Sequence, residues 1–82
     1  MKVIEIDNKF SLIKSDIELG YMYFIEEANN LIIKEVYVYP GYRGNGFGKL
    51  LVDHITLESK ERGRNLFSEC RFAKNFVKDL KR

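Results

Sequence analysis

The sequence predicts an α+β fold: a mostly antiparallel five-stranded sheet, its last two strands parallel, with two helices packed on it. Three observations predict it. Up to Tyr39, apolar and polar side chains alternate with a period of two, in β-branched and aromatic runs separated by short polar turns. From Phe47 the period lengthens to that of a helix. A further β-rich run, Leu66–Cys70, follows that helix, so the connection is a crossover and strands four and five run parallel.

Taken in order, Lys2–Asp7 sets Ile4 and Ile6 against Glu5 and Asp7, and Phe10–Lys14 follows an Asn8-Lys9 turn. Ile17–Glu26 places Ile17, Leu19, Tyr21, Tyr23 and Ile25 on one face. Glu27–Asn30 is turn material, and Leu31–Tyr39, rich in Ile, Val and Tyr, is the fourth strand. Pro40 has no N–H for a ladder, so Pro40-Gly41 ends it. Phe47, Leu50, Leu51, His54 and Ile55 then keep helical spacing, Glu58 and Arg62 pair at i,i+4, and Gly63 is a C-terminal stop. The helix is therefore expected over Gly46–Arg62. After Leu66–Cys70, the stripe Phe72, Ala73, Phe76, Val77 and Leu80 predicts a second helix.

Eighty-two residues make one domain, 1–82, that buries only about 60% of its unfolded surface. No apolar run approaches the roughly 20 residues of a membrane span, and Met1–Phe10 has no signal core. With one cysteine there is no intrachain disulfide, and one histidine beside it cannot build a conventional zinc site. The cytoplasm is the expected location. The net charge of +2 is too small to argue for nucleic acid. Its distribution is uneven. Residues 1–40 carry four basic and seven acidic side chains (−3), and residues 41–82 carry ten and five (+5). An anionic ligand is expected on the second half, although Lys78, Lys81 and Arg82 equally suit a solvated helix end.

Chemistry concentrates in Arg43-Gly44-Asn45-Gly46-Phe47-Gly48, between a strand end and a helix start. A helix N-terminus exposes unsatisfied N–H groups and partial positive charge, and phosphate accepts both. Glycines let the backbone approach an anion without a Cβ clash, and successive amides form a concavity. A P-loop is excluded, because Gly48-Lys49 is followed by Leu50 and Arg43 occupies the first glycine's place. A dinucleotide fingerprint is excluded too, since Gly44, Gly46 and Gly48 are spaced one residue too tightly.

The run from Tyr37 to Leu51 resembles the acetyl-CoA motif of the GNAT superfamily of N-acetyltransferases. That motif, Arg/Gln-x-x-Gly-x-Gly/Ala, is met by Arg43, Gly46 and Gly48, with the preceding Tyr-Val-x-Pro-x-Tyr and following Leu-Leu also in place. The resemblance extends over about residues 17–70. It implies that strands four and five splay apart, with pantetheine between them on the backbone of Val36, Tyr37 and Val38. The pyrophosphate would rest on the amides of Arg43, Gly44, Asn45, Gly46, Phe47 and Gly48, with Lys49, Phe72 and Ala73 nearby. The implied co-substrate is acetyl-CoA and the implied reaction is acetyl transfer to a small-molecule or protein amine. Cys70-Arg71-Phe72-Ala73 further resembles the Cys-x-aromatic-Ala setting of a small single-domain GNAT-like group.

Two side chains are candidates for the chemistry. Cys70, at a helix start beside Arg71, has surroundings that favour thiolate and could take the acyl group or assist its departure; it equally suits a small apolar position at the sheet end. Glu35, two residues before Tyr37, suits a general base or a solvent-facing strand position. Many GNAT enzymes use a tyrosine after the fifth strand as general acid, whereas this chain has Phe72 and Phe76 there. Tyr37, Tyr39 and Tyr42 read as packing or pocket wall, and His54 as a helix residue. The usual acceptor-site helices are missing, so that surface is either open or completed by a second copy in a homodimer. A CoA-binding module without turnover and a regulatory partner protein remain alternatives to the enzyme.

Overall fold

The computed structural model describes residues 1–77. Five strands form one sheet in chain order: β1 (Lys2–Ile6), β2 (Lys9–Lys14), β3 (Ile17–Glu27), β4 (Asn30–Val38) and β5 (Asn65–Ser68). The first four are antiparallel, and β5 lies parallel to β4. Helix α1 (Phe47–Arg62) makes the crossover, and α2 is a single turn, Arg71–Lys74. The expected fold class is the observed one.

Two hairpins turn on Asp7-Asn8 (φ 51° and 63°) and Ser15-Asp16 (φ 51° and 65°). Paired left-handed residues match the right-handed twist of the flanking strands. The core is one cluster in which Phe10, Leu12, Met22, Phe24, Leu31 and Ile33 of the sheet meet Leu51, Val52 and Ile55 of α1. Each buried side chain of this kind contributes about 1.5–3 kcal/mol. Gly63 (φ 69°) ends α1, its N–H on the Lys60 and Ser59 carbonyls, as its sequence position predicts. Arg62 ties that end to the sheet through Glu5 of β1 (2.5 Å) and Glu26 of β3 (3.6 Å), and pairs within the helix with Glu58 (3.0 Å).

Two irregularities set which residues face the core. In β2–β3 the pairing passes from Leu12↔Gly20 to Ile13↔Glu18, so Leu19 has no direct partner. That extra residue splits the expected face of β3. Leu19, Met22 and Phe24 are buried, while Tyr21, Tyr23 and Ile25 lie on the outer face. In β3–β4 the pairing passes from Phe24↔Ile33 to Tyr23↔Glu35, which leaves Lys34 as the extra residue. The alternation of β4 therefore slips: Ile33 and Val36 pack on the core, and Glu35 and Tyr37 face outward opposite Tyr23 and Tyr21.

Three other expectations shift. The buried stripe of α1 is Gly48, Leu51, Val52, Ile55 and Ser59; Leu50 is exposed and His54 sits at its flank, edge-on to the Phe10 ring at 4.7 Å. β5 ends at Ser68 rather than Cys70, because Ser68 and Cys70 exchange hydrogen bonds that turn the chain. The second helix is shorter than predicted. Ala73 and Val77 join the core, but Phe72 and Phe76 remain about 40% exposed; Leu80 lies outside the described residues.

Candidate active site

β4 and β5 pair over four rungs only, Asn30↔Asn65 to Ile33↔Ser68. The Glu69 N–H then donates to the Ile33 carbonyl (2.9 Å), and beyond that point β4 runs on along β3 alone to Val38. The strands part where Lys34 bulges. Past the bulge, the Tyr39 N–H donates to Leu19 on β3 (3.1 Å). Alternation along the strand then aims the peptide groups of Val38 and Val36 the other way, into the gap. Arg43 marks that side: its Nε donates to the Val38 carbonyl at 2.6 Å.

The gap leads to the start of α1. A 3-10 turn, Pro40–Tyr42, carries the chain off the sheet, and Asn45 Nδ2 donates to the Tyr42 carbonyl (3.1 Å) to close the loop. Gly44 (φ 85°) and Gly46 (φ 79°) hold left-handed conformations that other residues adopt only at a cost. Gly46 is the N-cap, with no side-chain cap and no acidic residue in the first turn of the helix. The first bond along α1 runs from the Leu50 N–H to the Gly46 carbonyl (3.0 Å). The amides of Phe47, Gly48 and Lys49 precede it and point out of the helix end. Arg43 and Lys49 are the charged residues of the cleft wall; both are basic, and Lys49 is paired to Asp53 at 2.9 Å.

Gap and helix start together form a cleft of about 530 Å³ lined by Val36, Tyr37, Val38, Tyr42, Arg43, Gly44, Gly46, Phe47, Gly48, Lys49, Phe72 and Phe76. Ligand sites usually lie between about 300 and 1,000 Å³. Of the residues expected to hold a cofactor, Asn45 and Ala73 are not on the wall: Asn45 braces the loop from behind, and Ala73 is buried in the core. Tyr42, expected as packing or pocket wall, lines the cleft, whereas sequence reasoning missed Phe76 as lining. Phe76 was legible as the i+4 partner of Phe72, and the two rings pack at 5.0 Å. Phe72 also covers Gly48, where a β-carbon would come within 2.7 Å of the ring.

A family profile described as GCN5-related N-acetyl-transferase matches residues 9–81. The chain belongs to that family. Solved structures agree on the fold. A GCN5-like protein from Staphylococcus aureus superposes with a TM-score of 0.73 at 22% identity, over 93% of this chain and 76% of that one. The PaiA N-acetyltransferase of Thermoplasma acidophilum, solved in complex with coenzyme A, gives 0.65 at 21% identity, over 76% and 37%. A GNAT-family protein from Desulfovibrio desulfuricans gives 0.66 at 17% identity, over 73% and 41%. The chain thus spans less than half the length of the last two. At these identities the likeness establishes the fold. A search of curated proteins found no match.

The GNAT sheet carries the remaining candidates away from the cleft wall. Glu35 is exposed on the outer face, one residue past the bulge. Cys70 is half-buried as the N-cap of α2 and packs partly against the core. Four tyrosines share the outer face: Tyr21 stacks on Tyr37 at 5.4 Å, with Tyr23 and Tyr39 edge-on to them. Lys9 lies over Tyr21 (4.9 Å), and the Arg43 guanidinium over Tyr37 (5.2 Å). The Tyr39 hydroxyl donates to Glu18 at 2.8 Å, which pushes its phenol up to about 12, with desolvation adding to the shift. Desolvation raises the Glu18 carboxyl, but hydrogen bonds from Ser11, Tyr39 and Lys9 outweigh it and hold the group below its ordinary value. This clamp anchors the far end of β4 beside the gap.

Proposed function

We propose that this chain is an acetyl-CoA-dependent N-acetyltransferase, acting as one domain over residues 1–82. One observation carries the reading: β4 leaves β5 after Ile33, and its Val36 and Val38 peptide groups face a cleft that ends on the helix amides of Phe47, Gly48 and Lys49. A pantetheine arm is itself a chain of amides and can extend such a strand edge, while a diphosphate suits the helix start. That two of the similar structures, those from Thermoplasma acidophilum and Neisseria gonorrhoeae, were solved with coenzyme A supports the choice of ligand.

In the proposed reaction a neutral amine attacks the thioester carbonyl in the gap. A peptide N–H of the freed β4 edge stabilises the oxyanion. Glu35 accepts the amine's proton, directly or through water, from its place at the bulge. The cleft wall offers Phe72 and Phe76 and no phenol from α2, so CoA leaves as a thiolate without an acid from that helix. Cys70 is a second candidate for handling the acyl group. Replacing it by Ala is expected to keep CoA binding and lower turnover; unchanged turnover would assign it to packing alone. The acceptor is an amine on a small molecule or protein. Among the described residues no helix is long and apolar enough to cross a membrane, and we place the activity in the cytoplasm, where a lone thiol stays reduced.

A thermal-shift titration tests the reading. CoA at 100 times its dissociation constant adds about 2.7 kcal/mol, a rise on the order of 10–20 °C for a domain of this size. Gly46→Glu puts a carboxylate among the amides and should abolish the rise. Wild-type binding in that variant would count against the loop. The phenylalanines at the place of the usual acid favour one second reading, a module that binds CoA without turnover. Thiol release from acetyl-CoA over an amine panel separates the two.

A further inference from the structure

Lys34 is the extra residue of the β4 bulge, between Ile33, which makes the last rung to β5, and Val36, where the cleft wall begins. Its Nζ donates across the parting strands to the carboxylate of Glu69, the first residue past β5. An amine and a carboxylate are thus hydrogen-bonded to each other where β4 and β5 begin to part, two residues along β4 from the first residue of the cleft wall. Two other paired lysines are placed differently: Lys9 pairs with Glu18 over the tyrosines, and Lys49 with Asp53 in the first turns of α1. The Lys34–Glu69 pair has the parts an acetyl acceptor needs, a nucleophilic nitrogen and a proton acceptor already in contact with it.

We propose that Lys34 is a self-acetylation site of this protein. The inference rests on the proposed acetyl-CoA reading and adds to it a residue of the chain as acceptor. One proton of the Lys34 ammonium passes to Glu69 and on to water, which reaches both groups because their side chains are 41% and 60% exposed. The free amine attacks the thioester carbonyl. A C–N bond forms, the C–S bond breaks, and the departing sulfur takes the second proton as CoA thiol. The products are N-acetyl-Lys34, CoA and one proton released to solvent. Acetylation removes the charge of Lys34 and breaks the ion pair, which leaves the Glu69 carboxylate at the gap free to meet the ammonium group of an external amine.

The experiment incubates the full chain with acetyl-CoA and follows intact mass and peptide maps over time. One acetyl group is expected on the peptide holding Lys34, at a first-order rate independent of protein concentration. Lys34→Arg should lose it while keeping the wild-type CoA thermal shift. Glu69→Gln should slow it about 100-fold, the low end for a positioned base. Gly46→Glu should lose both shift and adduct. A normal CoA shift with no adduct, with acetyl on Cys70 or spread over many lysines, or with a rate proportional to protein concentration overturns the proposal and leaves the cofactor reading standing. No CoA shift in the wild type overturns both.

Discussion

Substituting Ala for Gly48 is a sharp test of how the cleft is built, because the GNAT motif admits either residue here and in this structure an alanine would press on the Phe72 ring. A β-carbon at Gly48 meets Phe72 Cζ at 2.7 Å and Cε2 at 2.9 Å. Carbon contacts settle at about 3.5–4.0 Å, so the ring must retreat by about 1 Å. It cannot do so freely, since it packs on Phe76 at 5.0 Å. Overpacking of this kind costs about 1–3 kcal/mol. Ala in a helix recovers up to about 1 kcal/mol over Gly. The net effect of Gly48→Ala is a loss of about 0–2 kcal/mol in urea denaturation. In a Phe72→Ala background the clash is gone and the same change stabilises by up to about 1 kcal/mol. The double-mutant cycle therefore gives a coupling of about 1–3 kcal/mol. Equal effects of Gly48→Ala in the two backgrounds would refute the argument that Phe72 dictates the glycine.

Three more outcomes are expected. Glu35→Gln should lower turnover about 100-fold or more at neutral pH, with an unchanged CoA thermal shift; a variant as active as the wild type removes Glu35 from the chemistry. The Tyr39 phenol, raised from 10.0 to about 12 by its bond to Glu18, holds its proton more tightly folded than unfolded. Its contribution is complete below pH 10 and is lost as pH rises through 12, so Tyr39→Phe should show a shallower fall of Tm across that window, and parallel curves would contradict the clamp. Ile55→Ala, in the fully buried stripe of α1, should cost about 2–5 kcal/mol of a total near 4–12 kcal/mol. A drop under about 1 kcal/mol in urea denaturation would mean the helix is not seated as described.

The strands, the first helix, its Gly63 stop and the glycine-rich turn before that helix were all legible, because each is written in local periodicity or in residues with special backbone freedom. The two bulges were not read, and they decide the site. The signal for one was present: Lys34 and Glu35 are adjacent charges between Ile33 and Val36, where strict alternation would have allowed a single polar residue. Reading the slip would have placed Tyr21 and Tyr23 opposite Tyr37 and Glu35, on the face away from α1. The single-turn α2 was harder. Its apolar stripe is helical in spacing, yet Phe72 and Phe76 serve the cleft rather than the core, a division set by tertiary contact with Gly48. Asn45 and Ala73 were drawn into the expected wall by neighbourhood in sequence, which does not say where a side chain points.

Helix α1 begins on a glycine in a left-handed conformation, without a hydroxyl or carboxylate to finish it. Ser, Thr, Asp and Asn are the usual N-caps and bring their own acceptor; on the proposed reading this helix is completed instead by the diphosphate it binds. On the proposed reading its opening turn frays in the empty protein and is sealed by the nucleotide. Protease attack on fluctuating segments follows the population that is open. The lifetime of the chain in a cell would then rise and fall with the pool of the molecule it consumes, a form of supply sensing that needs no second binding site.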